Sequence, residues 1–556
     1  MSLIQICDLQ GDGFLSPFAN QEIETIGVVT GVLRRGFFIQ TPNKDWDGVS
    51  SDAIFVFSPD WTVSVGYEVV VTGRCVDFIK HDTAKPVTQI HLKEARVKST
   101  RGASINPIEL TRDFLPSAND ELAKRLNALE GMLVSVAQGQ TFIAPSNPFG
   151  DYVLALDANT KDDSMVRSPE GGAIVSEQNP LRWFPGFRVT NYHNAQRLNV
   201  GSTLKSTITG PLNYRVDAYQ IAVNSAFDVE HNYIDRDKAS LSSSNGSITI
   251  MTLNCFNLDA HVESPDRVMN PQKDVDDDFG EGRFHTLAQA VVLEANTPDI
   301  VALQEIQDND GAEISAVIDA SKTYEVLINA IKELSGIEYQ WADVPPQVGE
   351  DGGQPGGNIR NAYLYNPERV SIDPQSIRVF ATEEACFTNS RKPLIAEFIE
   401  KASEKRLAVI NVHLASKRHQ SSIFAVENAG IDSKEHIRVD QARLIRLEAE
   451  KSLDKGVEFY ITGDFNDLEF SPTMLECTGE RGVNLVLSLP ETERYDYNHR
   501  GKLQVLMHGI VPKKMSESGR AQYEIIHGNE LIGVQPGQEN DKPSDHAYVL
   551  AKLELD

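Results

Sequence analysis

The segment 239–246, Ala-Ser-Leu-Ser-Ser-Ser-Asn-Gly, divides the chain into two textures. It is small, polar and without periodicity, the composition of a linker. Before it, residues 23–32, 36–40, 53–57 and 68–75 are runs of Val, Ile, Phe and Thr set off by turn residues, which predicts short strands. After it, strand-like runs at 247–253, 300–303, 362–365, 408–413 and 458–462 alternate with helical stretches. Two of these, 284–294 and 439–451, carry apolar residues at i, i+3 and i+4. Such alternation predicts an α/β or α+β domain of about 310 residues.

The front half contains a weak internal repeat. Val65-Gly66-Tyr67-Glu68-Val69-Val70-Val71-Thr72-Gly73 resembles 200–210, and Gly131-Met132-Leu133-Val134 echoes Gly27-Val28-Val29-Thr30. Two small β-barrels in tandem follow from this, with a short helix at 121–129 before the second. The predicted division is 1–100, a β-barrel; 101–238, a second barrel-like domain; and 247–556, the alternating domain. That count suits 556 residues.

The chain holds 52 Lys and Arg against 80 Asp and Glu, a net charge of −28. Residues 1–100 and 101–240 each carry −3, and the rest carries −22. This excludes nonspecific polyanion binding by a broad basic surface. An acidic catalytic region can still meet a phosphate when metal ions lie between them. No apolar run approaches the roughly 18 residues of a transmembrane helix, and the opening MSLIQICDLQ has no signal-peptide pattern. Five cysteines form no CxxC pair; Cys7 with Cys75 is a candidate bridge, and scattered buried thiols are the alternative.

Several strands of the back domain run into acid, amide or imidazole side chains. These are Asn254, Glu305, His413, Asp464 followed by Phe465-Asn466-Asp467, and Ser544-Asp545-His546 before a last strand. Each alone reads equally as a turn, a cap or a satisfied polar residue. Together, at the ends of strands in a rigid sheet, they are placed to converge on one cleft. Carboxylates bind hard cations through oxygen, amides orient water or phosphate, and histidines move protons near neutral pH. This is the toolkit of metal-assisted phosphodiester cleavage.

The ordered set Asn254, Asp299-Ile-Val-Ala-Leu-Gln-Glu305, Val-His413-Leu, Gly-Asp464-Phe-Asn466 and Ser-Asp545-His546 resembles the endonuclease/exonuclease/phosphatase superfamily. The opening IQICDLQGDG, with Gly36-Phe37-Phe38-Ile39-Gln40 and Ile54-Phe55-Val56-Phe57, is similar to the oligonucleotide-binding-like barrel that precedes this domain in bacterial extracellular nucleases. Leu129-Glu-Gly-Met132 and Pro148-Phe-Gly-Asp151 resemble the intervening region of the same family. The resemblance implies an α+β fold, a four-layer sandwich of two packed sheets flanked by helices, behind two OB-like barrels. It implies Mg²⁺ or Mn²⁺, with Ca²⁺ a further candidate, held by Asn254, Glu305 and Asp545. It gives Asp464 the attacking water, Asn466 the scissile phosphate, His546 the role of base or phosphate ligand, and His413 the phosphate or leaving oxygen. It also implies nucleic acid, DNA first, as substrate, an extracellular or periplasmic location, no membrane and no obligate protein partner.

Three segments qualify this reading. The glycine-rich loop 352–361 ends in Arg360 and Asn361, which the resemblance places beside the phosphate; from the residues alone it is equally a tight turn with a surface arginine. Related extracellular nucleases carry Leu-Asp-His where this chain has Leu506-Met507-His508, so His546 is expected to lack an orienting carboxylate. Asp274-Val-Asp276-Asp-Asp278-Phe279-Gly280 opens like a calcium loop, but positions six and twelve are Phe279 and His285, so 259–282 is expected to be a solvated acidic insertion, with a weak cation site as the further reading. The leading expectation is a divalent-metal-dependent phosphodiesterase, most simply a DNA/RNA endonuclease. The alternatives are a phosphatase or phosphodiesterase on a small molecule or lipid headgroup, and a catalytically silent nucleic-acid-binding protein.

Overall fold

A computed structural model of the chain describes residues 2–42, 46–81, 84–156, 165–177, 183–417, 420–425, 429–538 and 541–556. The first five strands are β1 (Glu22–Leu33), β2 (Gly36–Gln40), β3 (Ala53–Phe57), β4 (Glu68–Phe78) and β5 (Val87–Ser99). They close a barrel in the order β1-β2-β3-β5-β4. Only β3 and β5 run parallel. Closure removes the free edges that strands this rich in Val and Ile would otherwise expose. Alternate residues Ile23, Phe37, Ile39, Ile54, Val69 and Val71 fill the interior. Helix Ile6–Gln10 adds Ile6 and Leu9 to the same core.

Residues 108–230 form a second β-rich unit. It is an open path of nine strands rather than a second closed barrel. Parallel pairing of Gly186–Val189 with Ala218–Val223 breaks the hairpin order that tandem barrels would require. This unit packs on the first through a buried ion pair, Lys85 Nζ to Glu130 Oε2 at 2.6 Å. Lys85 also donates to Asn127 Oδ1 (3.0 Å) and lies over the Tyr214 and Tyr219 rings.

The back of the chain holds two sheets. One runs in the order Gln340–Asp343, Arg360–Tyr365, Ile300–Ile306, Ser247–Leu258, Tyr548–Glu554, Ala521–Ile526. The other runs Val370–Ile372, Leu394–Glu400, Arg406–His413, Glu458–Asp464, Met507–Pro512, Gly482–Asn484. Their facing sides share one apolar core, in which Ile250, Ile300 and Val549 meet Leu394, Val409 and Tyr460. The alternate residues Met251, Val301 and Leu550 point the other way, against helices Arg283–Gln289 and Ser321–Ser335. Helices Glu435–Asp454 and Pro472–Thr478 cover the outer side of the second sheet. No helix among the described residues is long and apolar enough to cross a membrane.

The segment 239–246 is fastened along this domain. Ser240 N and Oγ donate to Glu524 Oε2, Leu241 N donates to Glu524 Oε1, and Asn296 Nδ2 donates to the Ala239 and Leu241 carbonyls. All five cysteines are free, so Cys7 and Cys75 are unbridged.

Candidate active site

Each back sheet contains one parallel pair at its centre: Ser247–Leu258 with Ile300–Ile306, and Arg406–His413 with Glu458–Asp464. A parallel pair needs a crossover, and the residues leaving its carboxyl ends gather at one edge of the sheet. Asn254 and Glu305 leave the first pair, and His413 and Asp464 end the second in direct register. Two inter-sheet ties hold these ends together. Thr252 Oγ1 and Thr462 Oγ1 lie 2.5 Å apart, and Gln304 Nε2 donates to Asn411 Oδ1 at 2.7 Å.

The backbone is bent to aim the side chains. Pairing shifts register between Leu303 and Ile306, and Glu305 sits there at φ 57°. Asn466 is at φ 52°. Such conformations cost energy for residues with a Cβ and persist where the surroundings over-determine them. Gly463, at φ 139°, precedes Asp464, and a side chain there would collide with the Val412 carbonyl.

The four groups converge. His413 Nε2 lies 3.5 Å from Asp464 Oδ2 and 3.8 Å from Glu305 Oε1. His546 Nε2 lies 3.8 Å from Asp464 Oδ2 and 3.9 Å from Asp545 Oδ1. Asn254 Nδ2 donates to Asp464 Oδ2 at 3.4 Å, and Asn466 N donates to Asp464 Oδ1 at 2.9 Å. The Asn466 side chain donates to the Leu414 carbonyl at 3.2 Å. His546 Nδ1 is 2.9 Å from Asp496 Oδ2, and since a carboxylate can only accept, the imidazole donates. The Tyr497 ring stacks on His546 at 4.9 Å.

Burial and crowding of charge set the protonation. Glu305 is pushed up to about 7 by burial, then by Asp545 and Asp464. Burial also raises Asp464. His413 is held well below its ordinary range by burial and by the Arg391 guanidinium. Burial opposes charge on His546 as well, but Asp545, the Asp496 hydrogen bond and Asp464 outweigh it and lift it to about 10. Glu305 and Asp545 repel one another, which a divalent cation would relieve, and Asn254 adds a neutral amide oxygen, so the donor set fits a hard metal ion.

Residues 251–503 match the endonuclease/exonuclease/phosphatase family. Residues 104–232 match a domain of unknown function (DUF8508). No curated protein matches the chain. Solved structures similar to it include a humanized D. rerio TDP2, at 15% identity, covering 55% of this chain and 99% of that one with a TM-score of 0.36. The human Nocturnin catalytic domain is similar at 14% identity, covering 58% and 98%, TM-score 0.37. An endonuclease/exonuclease/phosphatase protein from Bacteroides vulgatus is similar at 16%, covering 56% and 99%, TM-score 0.35.

Within this family region, three expectations change. Arg360 and Asn361 are consecutive in a strand, so their side chains face opposite ways. Arg360 is buried away from the cleft; it donates to the Ile318 and Asn358 carbonyls and pairs with Asp343. It is therefore not a phosphate contact in this arrangement. Asn361 turns between the sheets and donates to the Lys392 and Asn411 carbonyls, leaving its Oδ1 without a partner among the described residues. Arg391 is a buried guanidinium bonded to the Leu414 carbonyl and electrostatically coupled to Glu305 and Asp464. Its Nε has no partner among the described residues.

His546 does not lack a carboxylate. Met507 is buried in the core between the sheets. Asp496, fully buried, accepts from Leu506 N (2.5 Å), Met507 N (3.2 Å) and His546 Nδ1. The only local signal was an acid, Tyr495-Asp496-Tyr497, ahead of the turn 499–502. The insertion 259–282 also departs from expectation. Asp259 and Asp278 are buried, and oxygens of Asp259, Glu263 and Asp276 lie within 4.8 Å of one another. Burial and then Glu263 push Asp259 up to about 9.

Proposed function

We propose that the chain is a divalent-metal-dependent phosphodiesterase whose substrate is nucleic acid, DNA first. The reading rests on one observation: Glu305, His413, Asp464 and His546 meet within 4 Å contacts in a single buried cleft. A divalent ion held by Glu305, Asp545 and Asn254 would supply charge neutralisation at a phosphoryl oxygen. Asp464, fixed by donors on both oxygens, positions the attacking water and takes its proton. His546 carries a proton at Nδ1, locked by Asp496, and offers Nε2–H to a non-bridging oxygen or to the leaving oxygen. His413, kept neutral by burial and Arg391, offers a second donor at the phosphate, and Asn466 bounds the site. Arg391 adds a fixed positive charge where negative charge develops. The back domain is read as the four-layer sandwich of its family. The front barrel, with its β1-β2-β3-β5-β4 order, is read as an oligonucleotide-binding barrel that steadies the substrate. An extracellular or periplasmic location belongs to the same reading.

The silent-protein alternative drew on Met507 and loses its ground, because Asp496 supplies the missing carboxylate. A small phosphoester remains the second reading, favoured by the −22 net charge beyond residue 240. The test is cleavage of supercoiled plasmid with Mg²⁺, Mn²⁺, Ca²⁺ or EDTA. Metal-dependent nicking stopped by EDTA is expected, and Asp464→Asn and His546→Ala should each lower it by orders of magnitude. Turnover of small phosphoesters with no plasmid nicking under any metal would overturn the nuclease reading.

A further inference from the structure

We infer that the second unit, residues 108–230, is a positioning element of the active site: it grips the hairpin 495–504 and so holds Asp496 and Tyr497 against His546. The inference rests on the reading of His546 as an active-site residue. The hairpin strands Tyr497–His499 and Lys502–Gln504 pair with neither back sheet. Their third strand is Ala173–Ile174, from the second unit, in register with Lys502 and Leu503. Val175 N donates to the Leu503 carbonyl at 2.9 Å. Asn498 Nδ2 donates to the Ile143 carbonyl, and Arg500 Nη1 to the Val216 carbonyl. Tyr495 OH donates to Glu170 Oε2 at 2.9 Å. Leu503 is fully buried among Ile174, Val200, Tyr495 and Leu531.

The other side of the hairpin faces the catalytic histidine. Besides the Asp496 side chain, the Asp496 carbonyl accepts from Ala547 N at 2.7 Å, and Tyr497 and His546 form a backbone bridge. A two-stranded hairpin is marginal alone in water. The third strand that completes it comes from the second unit, so the geometry of His546 is set partly from outside its own domain. This assigns a role to a domain of unknown function without giving it any group that touches substrate.

The test is a size exchange at a site remote from the cleft. A side chain at Gly172 would overlap Leu503 Cδ1. Gly172→Val adds three carbons there, and Leu503→Ala removes three. Gly172→Val should speed amide hydrogen exchange across 495–507, lower kcat on the cleaved substrate at least tenfold, and leave KM within twofold. The double variant Gly172→Val with Leu503→Ala should restore both exchange and kcat. Unchanged exchange in Gly172→Val overturns the inference whatever the activity. Faster exchange with normal kcat also overturns it, as does a rise in KM with kcat intact, which would make the unit a substrate-binding piece. If the wild type cleaves no phosphoester, the reading of function fails, and the exchange result alone decides whether the grip exists.

Discussion

Asp496→Asn is the sharpest probe of the site. Asp496 Oδ1 receives Leu506 N–H, and Oδ2 receives both Met507 N–H and His546 Nδ1–H. Asparagine keeps the shape but has one acceptor oxygen and one NH₂. If the NH₂ faces Leu506, two donors oppose each other. If it faces the other side, Met507 N–H loses its acceptor and His546 must give up its Nδ1 proton, leaving a neutral ring protonated only at Nε2. Either way a buried N–H goes unpaired, which costs about 1–3 kcal/mol. At about 2–4 °C per kcal/mol for a domain near this size, melting should fall by about 2–12 °C. Losing a hydrogen bond to a charged partner removes about 1.5–3 kcal/mol, or about one to two decades in rate. Loss of the Nδ1 proton adds more, since the corresponding Asp→Asn change in a serine-protease triad costs about 10⁴. The expected loss of kcat therefore lies between about 10² and 10⁴, measured on plasmid nicking at saturating substrate. A kcat within threefold of wild type would refute the argument that Asp496 orients His546.

Other outcomes follow from the same geometry. Divalent metal should raise the melting temperature more at pH 8 than at pH 6, because Glu305 must shed a proton that it holds up to about pH 7; equal shifts at both pH values would contradict this. Carboxyls raised in the folded state, Asp259 to about 9 and Asp276 to about 7, bind protons that the unfolded chain does not. Stability in EDTA should therefore fall as pH rises from 5 to 9, and Asp259→Asn should flatten that slope in thermal melts. Glu130→Ala strands the buried Lys85 ammonium and should cost about 3–5 kcal/mol in urea unfolding, with the double variant Lys85→Met, Glu130→Leu losing less. Met507→Asp should lower melting without raising kcat, because it places a second carboxylate in an apolar core beside an already paired histidine.

The parts of the site that were legible in sequence are those that a strand end presents locally. Asn254, Glu305, His413 and Asp464 each follow an apolar run and Asp545-His546 precede one, so the run predicts the strand and its end predicts the placement. Arg391 and Asp496 escaped because nothing near them in sequence marks the cleft; Arg391 reaches it through the loop before Leu394–Glu400, and Asp496 through a hairpin completed by another domain. Arg360 failed through strand parity: the neighbouring Asn361 faces inward, so Arg360 faces out. The acidic insertion read as solvated because charge composition carries no information on burial, whereas Arg283, held by the Cys255 and Phe256 carbonyls, pairs with Asp278 and draws it inward. The second unit shares strand composition with the first barrel, and composition does not record which strands pair.

The pairing of Ser247–Leu258 with Tyr548–Glu554 has a consequence for the timing of synthesis. About 300 residues separate the two strands, so at roughly 5–20 residues per second a ribosome needs on the order of 15–60 s to make the second after the first. Throughout that interval one edge of Ser247–Leu258 lacks its native neighbour and is open to wrong pairing. The strand that finally covers it is also the one that Asp545 and His546 lead into. Sheet completion and the arrival of Asp545 and His546 are thus one event, and a nascent chain cannot assemble the candidate site before its fold is closed.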